Sequence, residues 1–319
     1  MGLRQRYDGF DRFQQRRSWL GFPLAVRQKY ADDQGSYLAA TITYYGFLSV
    51  FPLLLVATTV LGYVLRDHPA LDRRIIGSAL GQFPVIGHDL SLHTLRGSGL
   101  ALALGIALAL WSGTGVFVAT ENAMNTLWGI PFRRRPDFVR VRLRALGMLL
   151  VLGALAMGAT VLAGIGTFGA AYGWSWKVAA VGLSTALDIG LLWVTFRLLT
   201  AKDVSWRQLR GGAIGAGVCW QLLQLLGGWY VGHELRHAST TYGTFATVIG
   251  LLAFIYLSAH VILLAAEANV VATQRLWPRS FSVMFEEPAT SGDTRALTQR
   301  ARVEERRQDE HIDVRVGDE

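Results

Sequence analysis

The chain reads as an all-α, polytopic membrane protein, a six-helix transmembrane bundle with both termini in the cytoplasm. Three observations lead there: the length of its charge-free runs, their number, and the side on which the remaining cations collect. No Asp, Glu, Lys or Arg occurs in residues 34–65, 97–120, 145–176 or 211–232. A helix needs about 20 apolar residues to cross the hydrocarbon core of a bilayer, and soluble core helices rarely stay uncharged that long. Two further apolar stretches are each interrupted once, 177–197 by Asp188 and 238–266 by His260. Over the whole chain 17% of residues are charged, against about 25% in an ordinary soluble protein.

Orientation follows from the cations. With the N-terminus inside, 25 Lys and Arg fall in the inner segments 1–37, 129–144, 197–210 and 274–319. Only 6 fall outside, in 66–96 and at Lys177 and Arg236. Short cytoplasmic segments carry such an excess of positive charge. The net charge of +8 is therefore a topology signal. No RNA- or DNA-reading motif accompanies it, and nucleic acid is not an expected partner.

In order along the chain, residues 1–37 are basic and interleaved with Phe10, Phe13, Trp19, Phe22 and Tyr30, a composition suited to anionic inner-leaflet lipid. No cleavable signal precedes the first apolar run. The spans read as 38–65, 98–120, 145–171, 178–199, 211–232 and 244–273, the second helix continuing to about Trp128. In the outer connection 66–96, Leu71, Ile75, Ala79 and Phe83 recur at helical spacing, which predicts a short amphipathic helix. Residues 274–319 form a cytoplasmic tail. From about 286 it is polar, with charge clusters such as Glu304 to Arg307, and is expected to be disordered. Cys219 is the single cysteine, which rules out an intrachain disulfide.

Small residues predict where helices meet. Gly97, Ala101, Gly105, Ala109 and Gly113 recur every fourth position in the second span, and Gly211 and Gly215 repeat the pattern in the fifth. Such ridges let backbones approach closely in lipid. They are read as ordinary packing within the bundle, with a homo-oligomer as a further partner. Each three-span half has a small-residue-rich middle helix, as an inverted repeat would.

Four segments resemble the YihY/BrkB family of bacterial inner-membrane proteins: AATITYYGFLSVFPLLL at 39–55, LWSGTGVFVATENAMNTLWGI at 110–130 with Arg133 to Arg135 following, FRLLTAKDVSWRQLRGGAIGA at 196–216, and YGTFATVIGLLAFIYLSAHVILLAAEANVV at 242–271. The resemblance implies six helices with both ends inside, a bacterial cytoplasmic membrane, and a role in envelope integrity or small-molecule export. It also brings a label of tRNA-processing ribonuclease. A metal-dependent nuclease needs clustered His and Asp on an RNA-accessible domain, and no cytoplasmic segment here is large enough to be one.

Ionisable groups inside the membrane cost about 2.5–3.5 kcal/mol each on insertion scales and are the first functional suspects. Asp188 lies near the middle of the fourth span, with Ser184 and Thr195 on roughly its face. Glu121, Asn122 and Asn125 lie toward the cytoplasmic end of the second helix, Glu267 and Asn269 at similar depth in the sixth, and Tyr44 and Tyr45 near the start of the first. Topology puts these groups at a common height, as a polar gate or as interfacial caps. His260 shares a stripe with Tyr256 and Glu267, either as a packing residue or as a relay between Asp188 and Glu267. His233-Glu234-Leu235-Arg236-His237 matches the H-E-x-x-H pattern of zinc proteases. Its third ligand would have to come from Asp67, His68, Asp72, His88, Asp89 or His93. No phosphate loop occurs, and no cofactor is expected. Three readings stand: a transport or permeability protein for a small or amphiphilic solute, with proton coupling one way to drive it; a non-catalytic scaffold for envelope assembly; and an exterior zinc protease using His233 and His237.

Overall fold

The computed structural model describes residues 11–64, 99–153, 174–200, 204–230, 236–280 and 289–314, apart from residues 12, 16, 136, 138, 150 and 152. Among these residues there is no strand. The helices are α1 (Ser18–Asp32), α2 (Gly35–Val64), α3 (Gly99–Leu127), α4 (139–149), α5 (Trp174–Leu199), α6 (Trp206–Tyr230), α7 (Arg236–Gln274) and α8 (Ser291–Val303), with a 3-10 turn at Phe132–Arg134. Val181–Leu199 in α5 and Val248–Gln274 in α7 are, among the described residues, the two segments long and apolar enough to cross a membrane. The expected helix in 66–96 and most of the third span, 154–171, lie outside the described residues, as do His233 and Glu234.

α7 dominates the architecture. Its 39 residues extend about 58 Å at 1.5 Å per residue, and α1, α2, α3 and α6 all pack against it. The long helices leave large apolar side chains uncovered, among them Leu108, Trp111, Leu183, Leu226, Phe245 and Ile249. Uncovered apolar surface of this extent marks a face made for another apolar phase. The buried residues collect instead at one end. Leu127 and Trp128 close α3 there, Phe196 and Leu199 close α5, Leu209 and Ala213 open α6, and Leu263 to Val271 run through the last turns of α7.

Helix ends at this junction are closed by left-handed residues. Gly129 takes φ 67°, and the amide of Ile130 returns to Asn125 O at 2.8 Å. Arg275 takes φ 53° after α7, and the amide of Leu276 returns to Val271 O at 3.1 Å. Both arrangements use otherwise orphaned terminal carbonyls. Between α1 and α2 the chain turns at Gln34, φ 55°, and Gly35 sits under the Tyr30 ring, where a Cβ would collide.

That turn corrects one expectation. α1 does not simply lie on a leaflet, because Ala25, Val26, Lys29 and Tyr30 are buried in the bundle. Near its N-terminal end Trp19 stays exposed. The tail corrects another. α8 is ordered by a capping box, in which Thr290 Oγ1 accepts from the Asp293 amide at 3.2 Å and Asp293 Oδ2 accepts from the Thr290 amide at 3.1 Å. Asp293 also takes Arg279 Nε at 3.1 Å, while Arg279 Nη1 reaches Asp32 in α1 at 2.7 Å. Glu305, 1% exposed, meets Arg133 at 2.7 Å. Composition marked the tail as disordered because its charges looked solvated. Several of them have fixed partners on the bundle.

The glycine ridges are met in part. A Cβ at Gly113 would come 3.2 Å from Leu149 of α4. Gly97 is outside the described residues, and the side positions of Ala101, Gly105 and Ala109 are not described. In α6 the approach to α7 is tightest at Gly212, and Gly211 and Gly215 also face that helix. A Cβ at Gly212 would lie 2.8 Å from Asn269 Cβ and 3.2 Å from Ala265 O, whereas Gly211 and Gly215 allow 3.2 and 4.0 Å. Gly217 faces the Ile189 backbone of α5, Cα at 3.1 Å, and Gly190 meets nothing within 4 Å.

Two outcomes test this packing. Gly217→Leu should lower the melting temperature of the purified protein well below that of Gly190→Leu, because only the former must push two backbones apart. Thr290→Ala should cost α8 about 1 kcal/mol and quicken tryptic cleavage at Arg295, Arg300 and Arg302. An unchanged cleavage rate would show that the cap does not hold this helix.

Candidate functional site

The convergence of helix ends buries a cluster of charge. Lys29 comes from the last turn of α1, Asp33 from its C-cap and Glu267 from α7. Lys29 Nζ contacts the Asp33 carboxylate directly, lies 3.8 Å from Glu267 Oε2, and donates to Leu127 O at 3.2 Å. The three side chains are 4%, 7% and 0% exposed. Leu127 ends α3, so its carbonyl belongs to the negative end of that helix dipole and favours a cation. Burial holds the Asp33 carboxyl above the ordinary carboxylate range, with the Lys29 ammonium drawing it part of the way back. Two carboxyls thus face one ammonium where little water reaches. Only one charge pair can be balanced inside the cluster, and leaving a buried charge unbalanced is costly.

Beside the cluster, Tyr30 of α1 and His260 of α7 meet edge to face, with hydroxyl and Nδ1 2.7 Å apart. Burial, first of all, pushes the Tyr30 hydroxyl up to about 12, a hydrogen bond from Ser36 opposing it and Tyr256 and Glu267 adding to it. It therefore keeps its proton at any physiological pH, and which partner donates follows the His260 tautomer. Arg144 of α4 makes a second link. It donates to Glu121 Oε1 in α3 at 3.2 Å and to Leu198 O in α5 at 2.7 Å.

The sequence-selected residues divide accordingly. Glu121, Asn125, Glu267 and Asn269 are buried at this junction, where Asn269 Oδ1 accepts from the Gly212 amide at 3.1 Å. Asn122 accepts from Arg135 at 2.6 Å beside the end of α3. His260 of α7 meets α1 through Tyr30. Tyr44 and Tyr45 stack on each other and are 60% and 36% exposed; Tyr45 covers Gly115 and neither reaches the cluster. Asp188 is half-buried and makes no hydrogen bond or ion pair among the described residues. Thr195, on roughly the same face, donates to Leu191 O at 2.7 Å.

Sequence reasoning missed Lys29, Asp33, Tyr30 and Arg144, all assigned to the basic flanks. One signal was available for Lys29. The chain holds three lysines against 28 arginines, and one of the three stands four residues before an aspartate at the edge of the first span. Among the described residues no group of three or more His, Cys, Asp or Glu could hold a metal ion. His237 opens α7, but its side chain and His233 are outside what is described.

A family model described as Virulence factor BrkB matches residues 26–282, an interval that begins inside α1 and takes in Lys29, Asp33 and Glu267. The chain is 25% identical over 274 residues to the ribonuclease-like protein YfkH of Bacillus subtilis, covering 80% of this chain and 96% of that protein. It is 23% identical over 289 residues to the inner membrane protein YhjD of Escherichia coli, covering 83% and 85%. With a UPF0761 membrane protein of Methylibium petroleiphilum it shares 24% over 266 residues, 78% of this chain but 61% of the relative's length. No solved structure matches the chain.

The cluster makes a direct thermodynamic prediction. Lys29→Met should destabilise the protein by about 3–5 kcal/mol, because it strands buried carboxyls. Adding Glu267→Gln should restore much of that loss. Additive effects in thermal unfolding would mean that Lys29 and Glu267 do not interact.

Proposed function

This chain belongs to the BrkB family of membrane proteins, and from that premise we propose that it is a transport or permeability protein for a small or amphiphilic solute, whose cycle takes a proton on and off the Lys29–Asp33–Glu267 cluster. The observation that carries this reading is the fully buried Glu267 within a helix apolar enough to cross a membrane, held by a cation from a different helix, α1. Ion pairs so buried are seldom the most stable filling of a core. In membrane helices they commonly mark a coupling site.

The cation count supports six spans, with both ends in the cytoplasm of a bacterial inner membrane. In that frame the cluster lies at the cytoplasmic ends of the spans. A proton on one carboxyl leaves one balanced pair with Lys29. Its departure leaves excess negative charge, which favours water entry and movement of α1 away from α7. Solute access would follow the position of α1. The coupling carboxyl is then Glu267, and Asp188, the midplane candidate, has no partner among the described residues through which to act.

A strain lacking the gene, complemented in trans, tests the assignment. Glu267→Gln keeps the side-chain shape and removes the titration. It should reach wild-type abundance and melting temperature yet fail to complement, while Asp188→Asn should complement. Full function of Glu267→Gln would remove the cluster from the mechanism and favour the scaffold reading, in which both substitutions are tolerated.

A further inference from the structure

Outside the charge cluster, the turn after α3, the start of α6, the end of α7 and α8 line a half-open pocket of about 700 Å³. Its lining is unusual in charge. Arg133, Arg134, Arg295 and Arg302 all line it, and the single carboxylate among the lining residues is Glu305. That carboxylate is already occupied by Arg133 at 2.7 Å, with His311 Nδ1 a further 3.6 Å away. Arg295 and Arg302, on α8, have no acidic partner among the lining residues. Three threonines and three glutamines complete the polar part of the wall, and Trp128, Ile130, Pro131 and Val204 supply an apolar floor.

The arginines are presented by braced elements. Arg133 and Arg134 lie on the 3-10 turn fixed by Pro131 and by the Arg135 bonds to Asn122 and Ile130 O. Arg295 and Arg302 lie on α8, whose position is set by the Thr290–Asp293 cap and the Arg279 bonds. Arg295 uses one nitrogen, Nη2, on Arg275 O, which leaves the rest of its fork directed elsewhere. Guanidinium groups on opposing walls match the geometry of phosphate oxygens, which they bind with paired hydrogen bonds. The volume is in the range of small-molecule sites. A wholly apolar ligand would leave these cations desolvated without a counter-charge.

We propose that this cavity is a binding site for a phosphate-bearing small molecule, held between the Arg133–Arg134 turn and the Arg295 and Arg302 side chains of α8. A soluble phosphate ester and the headgroup of an anionic phospholipid share that chemistry. Nothing in the site calls for hydrolysis of the ligand; the chain has no phosphate loop, and the arginines bind rather than react. The tail helix is then one wall of a ligand site, which gives its order a purpose beyond packing.

Two probes distinguish the sources. The full-length protein in nanodiscs of zwitterionic lipid is titrated with inorganic pyrophosphate by calorimetry, and the detergent-purified protein is titrated with phosphatidic acid by native mass spectrometry. At least one probe should bind, and the Arg295→Gln, Arg302→Gln double substitution should weaken it at least about tenfold. Arg300→Gln removes the same charge from the same helix at a position outside the cavity, and should leave binding within about twofold. If loss of the Arg275 contact loosens α8 in the double variant, Arg302→Gln alone still reports, because that side chain is exposed and should weaken binding several-fold at unchanged melting temperature. Pyrophosphate binding with no phosphatidate binding identifies a soluble ligand, and the reverse a headgroup; each supports the site. Binding of neither probe, or equal weakening by Arg300→Gln and Arg302→Gln, overturns the proposal.

Discussion

The ammonium of Lys29 is the point on which the junction of this bundle depends. It enters from α1, accepts no substitute from solvent, and is met by a carboxylate from its own helix, a carboxylate from α7 and the terminal carbonyl of α3. A buried cation requires compensation close by, and here the compensation comes from three separate elements. Their relative positions are therefore coupled. α1 docks where it does because its apolar face, Ala25 and Val26, has room there and because its charge has partners there. The same Leu127 carbonyl that takes Lys29 also takes Gln299 Nε2 of α8 at 3.3 Å. The N-terminal helix and the tail helix are thus joined through one atom at the end of α3.

The bundle is held differently above this junction. Its long helices carry uncovered apolar side chains outward, so burial of apolar surface from water is not what brings them together in lipid. Close backbone approach does that work instead, beginning at the junction with Gly212 against Ala265 and Asn269 and continuing with Gly217 against Ile189. In a membrane the gain comes from packing and from satisfied polar groups. The Asn269 bond to the Gly212 amide combines both in one contact. The junction has a conventional core and buried ion pairs, as a soluble domain has. The titratable groups Lys29, Asp33 and Glu267 lie where these two regimes meet.

The sequence by itself determined the class of this protein. Charge-free runs and the lopsided placement of arginine are properties of composition along the chain, and they need no contacts to be read. The family followed from local motifs. Glu121, Asn125, Glu267 and Asn269 could be selected as a group because depth along a helix is a linear quantity. Tertiary structure decided the rest. Whether equal depth becomes contact depends on how each helix is rotated, and rotation buried Glu267 while turning Tyr44 outward. That the tightest contact falls on Gly212, with Gly211 and Gly215 also against α7, turns on a 100° step per residue that a four-residue repeat leaves loose. Lys29 and Asp33 looked like solvated flank charges, and the tail looked disordered, because composition counts charges without their partners. Those partners, Glu267 for Lys29, Asp32 for Arg279 and Arg133 for Glu305, lie more than a hundred residues away along the chain and become neighbours only when the helix ends converge.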